Sequence, residues 1–176
     1  MRTYIFILVF AIVSLGCSSD SNEGSSFNST DSIGQGGSLA TFVIKGDYLY
    51  TVDNEDLNVF NITTTTDPVL VNTVPIGFDI ETLFSYKDYL YIGSRNGMFI
   101  YDVNNPEFPV QLSSVQHFTS CDPVVANSNY AFVTLWSDLG CGDFVNQLEV
   151  YDVSDVLNPM LVNIRQLTFP KGLGLY

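Results

Sequence analysis

The chain writes one pattern three times. "GDYLYTV" at 46–52 returns as "KDYLYIG" at 87–93, 41 residues later, and "VFNI" at 59–62 and Pro68 return at the same interval as "IYDV" at 100–103 and Pro109. A third copy opens with "NYAFVT" at 129–134, again 41 residues on, but its "VYDV" at 150–153 and "NPMLVN" at 158–163 stand 50 after their counterparts. It therefore carries nine extra residues between its second and third apolar segments. Three landmarks kept in order through three copies mean one supersecondary unit, repeated, that buries its apolar surface against its neighbours.

Each copy divides into four short apolar segments separated by turn residues, in the first copy roughly 39–44, 48–52, 57–62 and 69–74. Tyr48, Tyr50 and Val52 alternate with Leu49 and Thr51, which is the period of a β-strand. The second set is not strongly polar, so both faces of the strand are expected to be buried. "DNED" at 53–56 and "SRNG" at 94–97 occupy matching turn positions, and Asn96-Gly97 reads as a hairpin pair because both residues tolerate positive φ. Repeated four-stranded antiparallel units of about 40 residues predict an all-β fold of β-propeller blades. A β-sandwich would lack the self-similarity, and a solenoid of strand meanders is the other competitor. The repeats are expected at about 39–79, 80–120 and 121–168, with "FPKGLGLY" beginning a fourth near 169. Since propellers close with roughly 4–8 blades, 39–176 is read as a partial propeller, a fragment of a longer one, with oligomerisation as the alternative cover for the end faces.

The third segments, "LNVFN", "MFIYD" and "LEVYD", are each followed by a Pro and a further apolar strand, "PVLVN", "PVQLS" and "PMLVN". This arrangement resembles the LVIVD repeat, a β-propeller repeat of bacterial surface proteins and lipoproteins. The resemblance covers 39–176 and implies a fold, not an activity. Asn61 stands where the other copies have Asp102 and Asp152, a position expected to serve a turn or ladder hydrogen bond.

The N-terminus has a different character. Arg2 precedes the uncharged apolar run Ile5–Leu15. Eleven residues fall short of the about 20 needed to span a bilayer, but suit the apolar region of a secretory signal peptide, assigned to 1–16. The run ends at Gly16-Cys17, which resembles the lipobox of bacterial lipoproteins, although Ser14 occupies the usual leucine position. The resemblance implies an acylated Cys17 as a membrane anchor. Residues 17–38 then form the lipidated cysteine and a flexible Ser/Gly/Asn tether, too polar to fold. Asp20 and Glu23 resemble the acidic export signals of Bacteroidetes surface lipoproteins. The implied address is the outer membrane or cell surface, lipid-anchored.

A net charge of −13 argues against a nucleic-acid partner. In an exported domain Cys121 and Cys141 are expected to form a disulfide: in a four-strand meander the start of the first strand and the second hairpin lie at one end. Two free thiols or half a metal site are the alternatives, and zinc is disfavoured because there is no CxxC and His117 is the sole histidine. No metal and no cofactor are assigned. No phosphate-binding glycine motif or nucleophile elbow is present, and a lone His117 makes no triad. The insertion "LWSDLGCGDFVNQ" places Trp136 beside Asp138 and Asp143. That set suits either a ligand face or an indole packed beneath the loop. The reading is a non-enzymatic envelope module binding a protein or glycan. The alternative is a propeller enzyme, hydrolase or lyase, with its catalytic residues in other blades.

Overall fold

A computed structural model describes residues 40–117, 123–136 and 145–175. The described residues hold twelve strands and no helix. The first sheet is β1 (Phe42–Lys45), β2 (Tyr48–Val52), β3 (Asp56–Asn61) and β4 (Val69–Pro75). The second is β5 (Ile80–Tyr86), β6 (Tyr89–Ser94), β7 (Gly97–Asp102) and β8 (Val110–Gln116). The third is β9 (Val124–Ala126), β10 (Tyr130–Leu135), β11 (Gln147–Asp152) and β12 (Met160–Gln166). Each is an antiparallel meander with its strands in sequence order, so the fold is all-β with three propeller-type blades.

The repeat is kept down to its irregularities. The ladder slips between Val59 and Phe60, between Ile100 and Tyr101, and between Val150 and Tyr151, one place in all three blades. Just beyond each slip, Asn61, Asp102 and Asp152 accept a hydrogen bond from the backbone N–H two residues on, at 2.9, 2.7 and 2.9 Å. The shared Asn/Asp position is therefore a turn cap, which either side chain supplies. The β1–β2 and β5–β6 turns place Gly46 (φ 57°) and Lys87 (φ 50°) at equivalent points. A lysine there adopts a conformation that glycine takes without steric cost.

The second hairpin departs from expectation. Ser94 pairs with Gly97, so Arg95 and Asn96 form the turn and Gly97 is already in the strand. Neither Asn96 nor Gly97 has positive φ. Gly97 is instead required by space, since a Cβ there would stand 2.4 Å from the Val115 carbonyl oxygen.

The first strands β1, β5 and β9 lie beside one another, tied between the first two blades by Leu83 N–H to the Ala40 oxygen at 2.7 Å. The fourth strands lie outermost, and every residue of β12 is exposed. Side chains alternate faces along each strand, so each joint between blades is an apolar slab. Val43, Tyr50, Leu57 and Val59 meet Leu83, Leu90, Ile92 and Tyr101 in the first joint. In the second, Tyr91, Met98 and Ile100 meet Ala131, Val133, Leu135 and Tyr151. Full burial of side chains this size contributes about 1.5–3 kcal/mol each.

The middle blade thus buries both faces, as the non-alternating pattern predicts. The first blade does not: Phe42, on its far face, is 55% exposed, whereas the equivalent Leu83 is 1% exposed. Residues 169–175, expected to open a fourth repeat, form no strand. Leu173 among them packs partly against the second core. Among the described residues no helix is long and apolar enough to cross a membrane.

Candidate functional site

The two joints can be compared position by position, because the repeat maps one onto the other. At the end carrying the β1–β2 and β5–β6 turns, the first joint is closed. The Tyr48 hydroxyl donates to Glu107 Oε1 at 2.9 Å, the Tyr50 hydroxyl to the Pro106 carbonyl at 3.0 Å, and Asn72 Nδ2 to the Glu107 carbonyl at 2.8 Å. Lys45 Nζ reaches Asp88 at 2.7 Å across the same gap. The Tyr48 phenol is raised by its hydrogen bond to the Glu107 carboxylate, and that of Tyr50 by burial.

In the second joint the same tyrosines recur as Tyr89 and Tyr91, but their partners do not. Leu157 stands in the place of Glu107, is 58% exposed and does not line the joint's cleft. Tyr86 replaces Lys45, and Asn129 replaces Asp88. The plug and the ion pair are both gone, and a cleft of about 260 Å³ remains. Tyr86, Lys87, Asp88, Tyr89 and Tyr91 form one wall; Asn127, Ser128, Val153, Ser154 and Val156 form the other.

Tyr91 is only 1% exposed yet lines this cleft. Burial, then the neighbouring Tyr89 and Tyr86, pushes its phenol up to about 12, so at neutral pH it is a donor. Lys87 Nζ lies 5.4 Å from the centroid of the Tyr86 ring, within cation–π reach. One contact of the first joint keeps a counterpart: Ser113 Oγ on β8, at the position equivalent to Asn72, donates across the joint to the Val156 carbonyl at 2.6 Å. Within the opposite wall Asn127 Oδ1 accepts from the Asn129 and Tyr130 amides at 3.0 and 2.9 Å. The cleft therefore offers aromatic faces edged with hydroxyl and amide groups on two rigid blades. Such a surface suits a neutral, polar ligand with apolar faces of its own.

The residues singled out from sequence lie elsewhere. Trp136 follows β10 and is half-buried, with Lys171 Nζ 4.9 Å from its ring centroid. Asp138, Asp143, Cys121, Cys141 and Cys17 lie outside the described residues. The strands flanking the two cysteine-bearing segments do approach one another: Val133 pairs with Val124, and Leu135 with Gln147. His117 lines a second cleft at the opposite end of the same joint. The tyrosine cleft is masked in the sequence because Tyr89 and Tyr91 belong to the repeat and read as core. Its trace in the sequence is a set of broken equivalences: Glu107 against Leu157, Lys45 against Tyr86, and Asp88 against Asn129.

Among known families, the LVIVD repeat matches residues 36–75 and 84–116. These segments contain the first blade and most of the second. The third blade shares their strand order, ladder slip and turn cap. No curated protein matches the chain.

Proposed function

We propose that this chain of LVIVD-type blades is an interaction module of the cell envelope, and that it holds a glycan in the tyrosine cleft of its second joint. Acylated Cys17 and the tether 18–38 would fix it to a membrane, in keeping with the leader-like start of the sequence. Two or more acyl chains, each contributing about 0.8 kcal/mol per buried methylene, would hold such a protein firmly.

The observation that carries the reading is the absence of the Glu107 plug at Leu157. One joint is sealed by its own side chains. The other presents equivalent tyrosines to a cleft between two blades. Sugar rings bring both hydroxyls and C–H faces, and the cleft offers partners for each.

Leu157→Glu restores the plug without touching a wall of the cleft. The full chain in detergent, screened on a glycan array, should bind a subset of glycans, and Leu157→Glu and Tyr89→Ala should each abolish that binding. No glycan bound by the wild type, or unchanged binding in both variants, would refute the site. For the anchor, a palmitate analogue fed to expressing cells should label the wild type and not Cys17→Ala; equal labelling of both would remove that part of the proposal.

A further inference from the structure

At the other end of the second joint the repeat breaks its own rule again. In the first joint Ile76 and Phe99 pack into the apolar core. The equivalent positions of the second joint, 41 and 50 residues on, are His117 and Glu149. An apolar contact has been exchanged for two ionisable groups, and one of them is almost wholly buried: Glu149 is 2% exposed. A buried carboxylate is costly to desolvate unless it is paired or hydrogen-bonded.

The surroundings hold this carboxylate in one orientation. Gln147 Nε2 donates to Glu149 Oε1 at 2.7 Å, the Tyr151 hydroxyl donates to Oε2, and Gln166 Nε2 donates to Gln147 Oε1 at 2.9 Å. An ionised carboxylate has about four acceptor positions, more than the Gln147 and Tyr151 donors fill. The group also lines a cleft of about 330 Å³, whose outer wall is formed by Leu161 and Ile164 of β12, the latter 46% exposed. An oriented anion at depth, with apolar walls above it, matches an alkyl chain ending in a cation.

We propose that this cleft binds an aliphatic cation, with a guanidinium or ammonium head on Glu149 and its alkyl stem against Leu161 and Ile164. A guanidinium fits best, since its flat fork can donate to both oxygens of one carboxylate. The chain's charge of −13 favours the approach of cations. A metal ion fits less well, because the described residues contain no cluster of three or more His, Cys, Asp or Glu side chains. The same head group occurs on a free amine and on an arginine side chain of a protein, and the two are separable by experiment.

Isothermal titration of the full chain in detergent with agmatine, and in parallel with acetyl-Gly-Arg-Gly-amide, should show saturable one-site binding. Tighter binding of the peptide identifies a protein side chain as the source, and binding of agmatine alone a free amine. Glu149→Gln keeps the shape of the side chain and should weaken binding by about tenfold or more, the loss expected for a charge-assisted contact. Ile164→Arg, at a half-exposed position directly opposite Glu149 in the ladder, should abolish binding by placing a tethered guanidinium in the cleft, and covers the case in which Glu149→Gln does not fold. Absence of saturation by either probe overturns the proposal. So does equal binding to wild type and both variants, which would mean unspecific attraction to an acidic surface.

Discussion

Phe42 and Leu83 occupy the same repeat position on β1 and β5, but only Leu83 has a blade against it. Truncating each to alanine therefore separates the contribution of the joint from that of the strand. Leu83 is 1% exposed within the first joint, and removing a buried leucine side chain costs about 2–5 kcal/mol, a transfer part plus the cavity left behind. Phe42 is 55% exposed. Full burial of a phenylalanine contributes about 1.5–3 kcal/mol, so its remaining half contributes about 1 kcal/mol, and no cavity can form on an open face. With a urea m-value of about 2 kcal/mol/M, Leu83→Ala should lower the unfolding midpoint by about 1 M or more and Phe42→Ala by about half that or less. Equilibrium urea unfolding followed by tyrosine fluorescence measures both, and an unchanged m shows that the blades still unfold together. If Phe42→Ala costs as much as Leu83→Ala, the far face of the first blade is covered in solution and the distinction between the two positions fails.

Thr134 is buried with a hydroxyl that has no partner, while the first blade has Val52 at the equivalent position; Thr134→Val should raise stability by about 1 kcal/mol, and a loss in thermal melting would count against that assignment. Gly97→Ala would set a Cβ 2.4 Å from the Val115 oxygen and should destabilise by about 1–3 kcal/mol; a neutral result in denaturant unfolding would show that β7 and β8 can part cheaply. The Asp152 carboxyl is held low by the Ser154 amide and hydroxyl, and that of Asp155 by the Asn158 side chain and the Leu157 amide. Since their folded pKa values lie below the unfolded one, their hold on the loop is complete above about pH 4 and is lost as the pH falls through the depressed values. Amide hydrogen exchange at Ser154 and Leu157, corrected for intrinsic pH dependence, should accelerate over that acid range and stay level from there to neutrality. Cys121 and Cys141 should prove unreactive to thiol reagents in the denatured, unreduced protein exported through an oxidising compartment; two free thiols would exclude the disulfide.

Much of the fold was legible as pattern. The interval of 41 places DYLY on β2 and β6, and the common Asn/Asp position marks a turn cap in every blade, because strand ladders and turn caps are made by residues close in sequence. The alternation also assigns each side chain to a face. Asn96-Gly97 does mark a hairpin, but a different need selects its glycine. A hairpin glycine serves positive φ, whereas Gly97 serves the approach of a carbonyl from β8, a strand that begins thirteen residues later.

The sequence by itself determined the four-stranded unit, its repetition and which residues could be interior. Tertiary structure alone decided which interior positions are covered and where a joint is left open. Tyr50 and Tyr91 are the same letter in the same register. One donates to the Pro106 carbonyl beside the Glu107 plug, and the other lines a cleft because Leu157 faces water. Glu149 likewise looks like one more polar residue in a strand until Gln147, Tyr151 and the edge of the second blade close around it. A period in sequence records the bonds a unit makes within itself. A joint is made by two units together, and its chemistry depends on pairs of residues far apart in the chain that meet only once the blades have stacked.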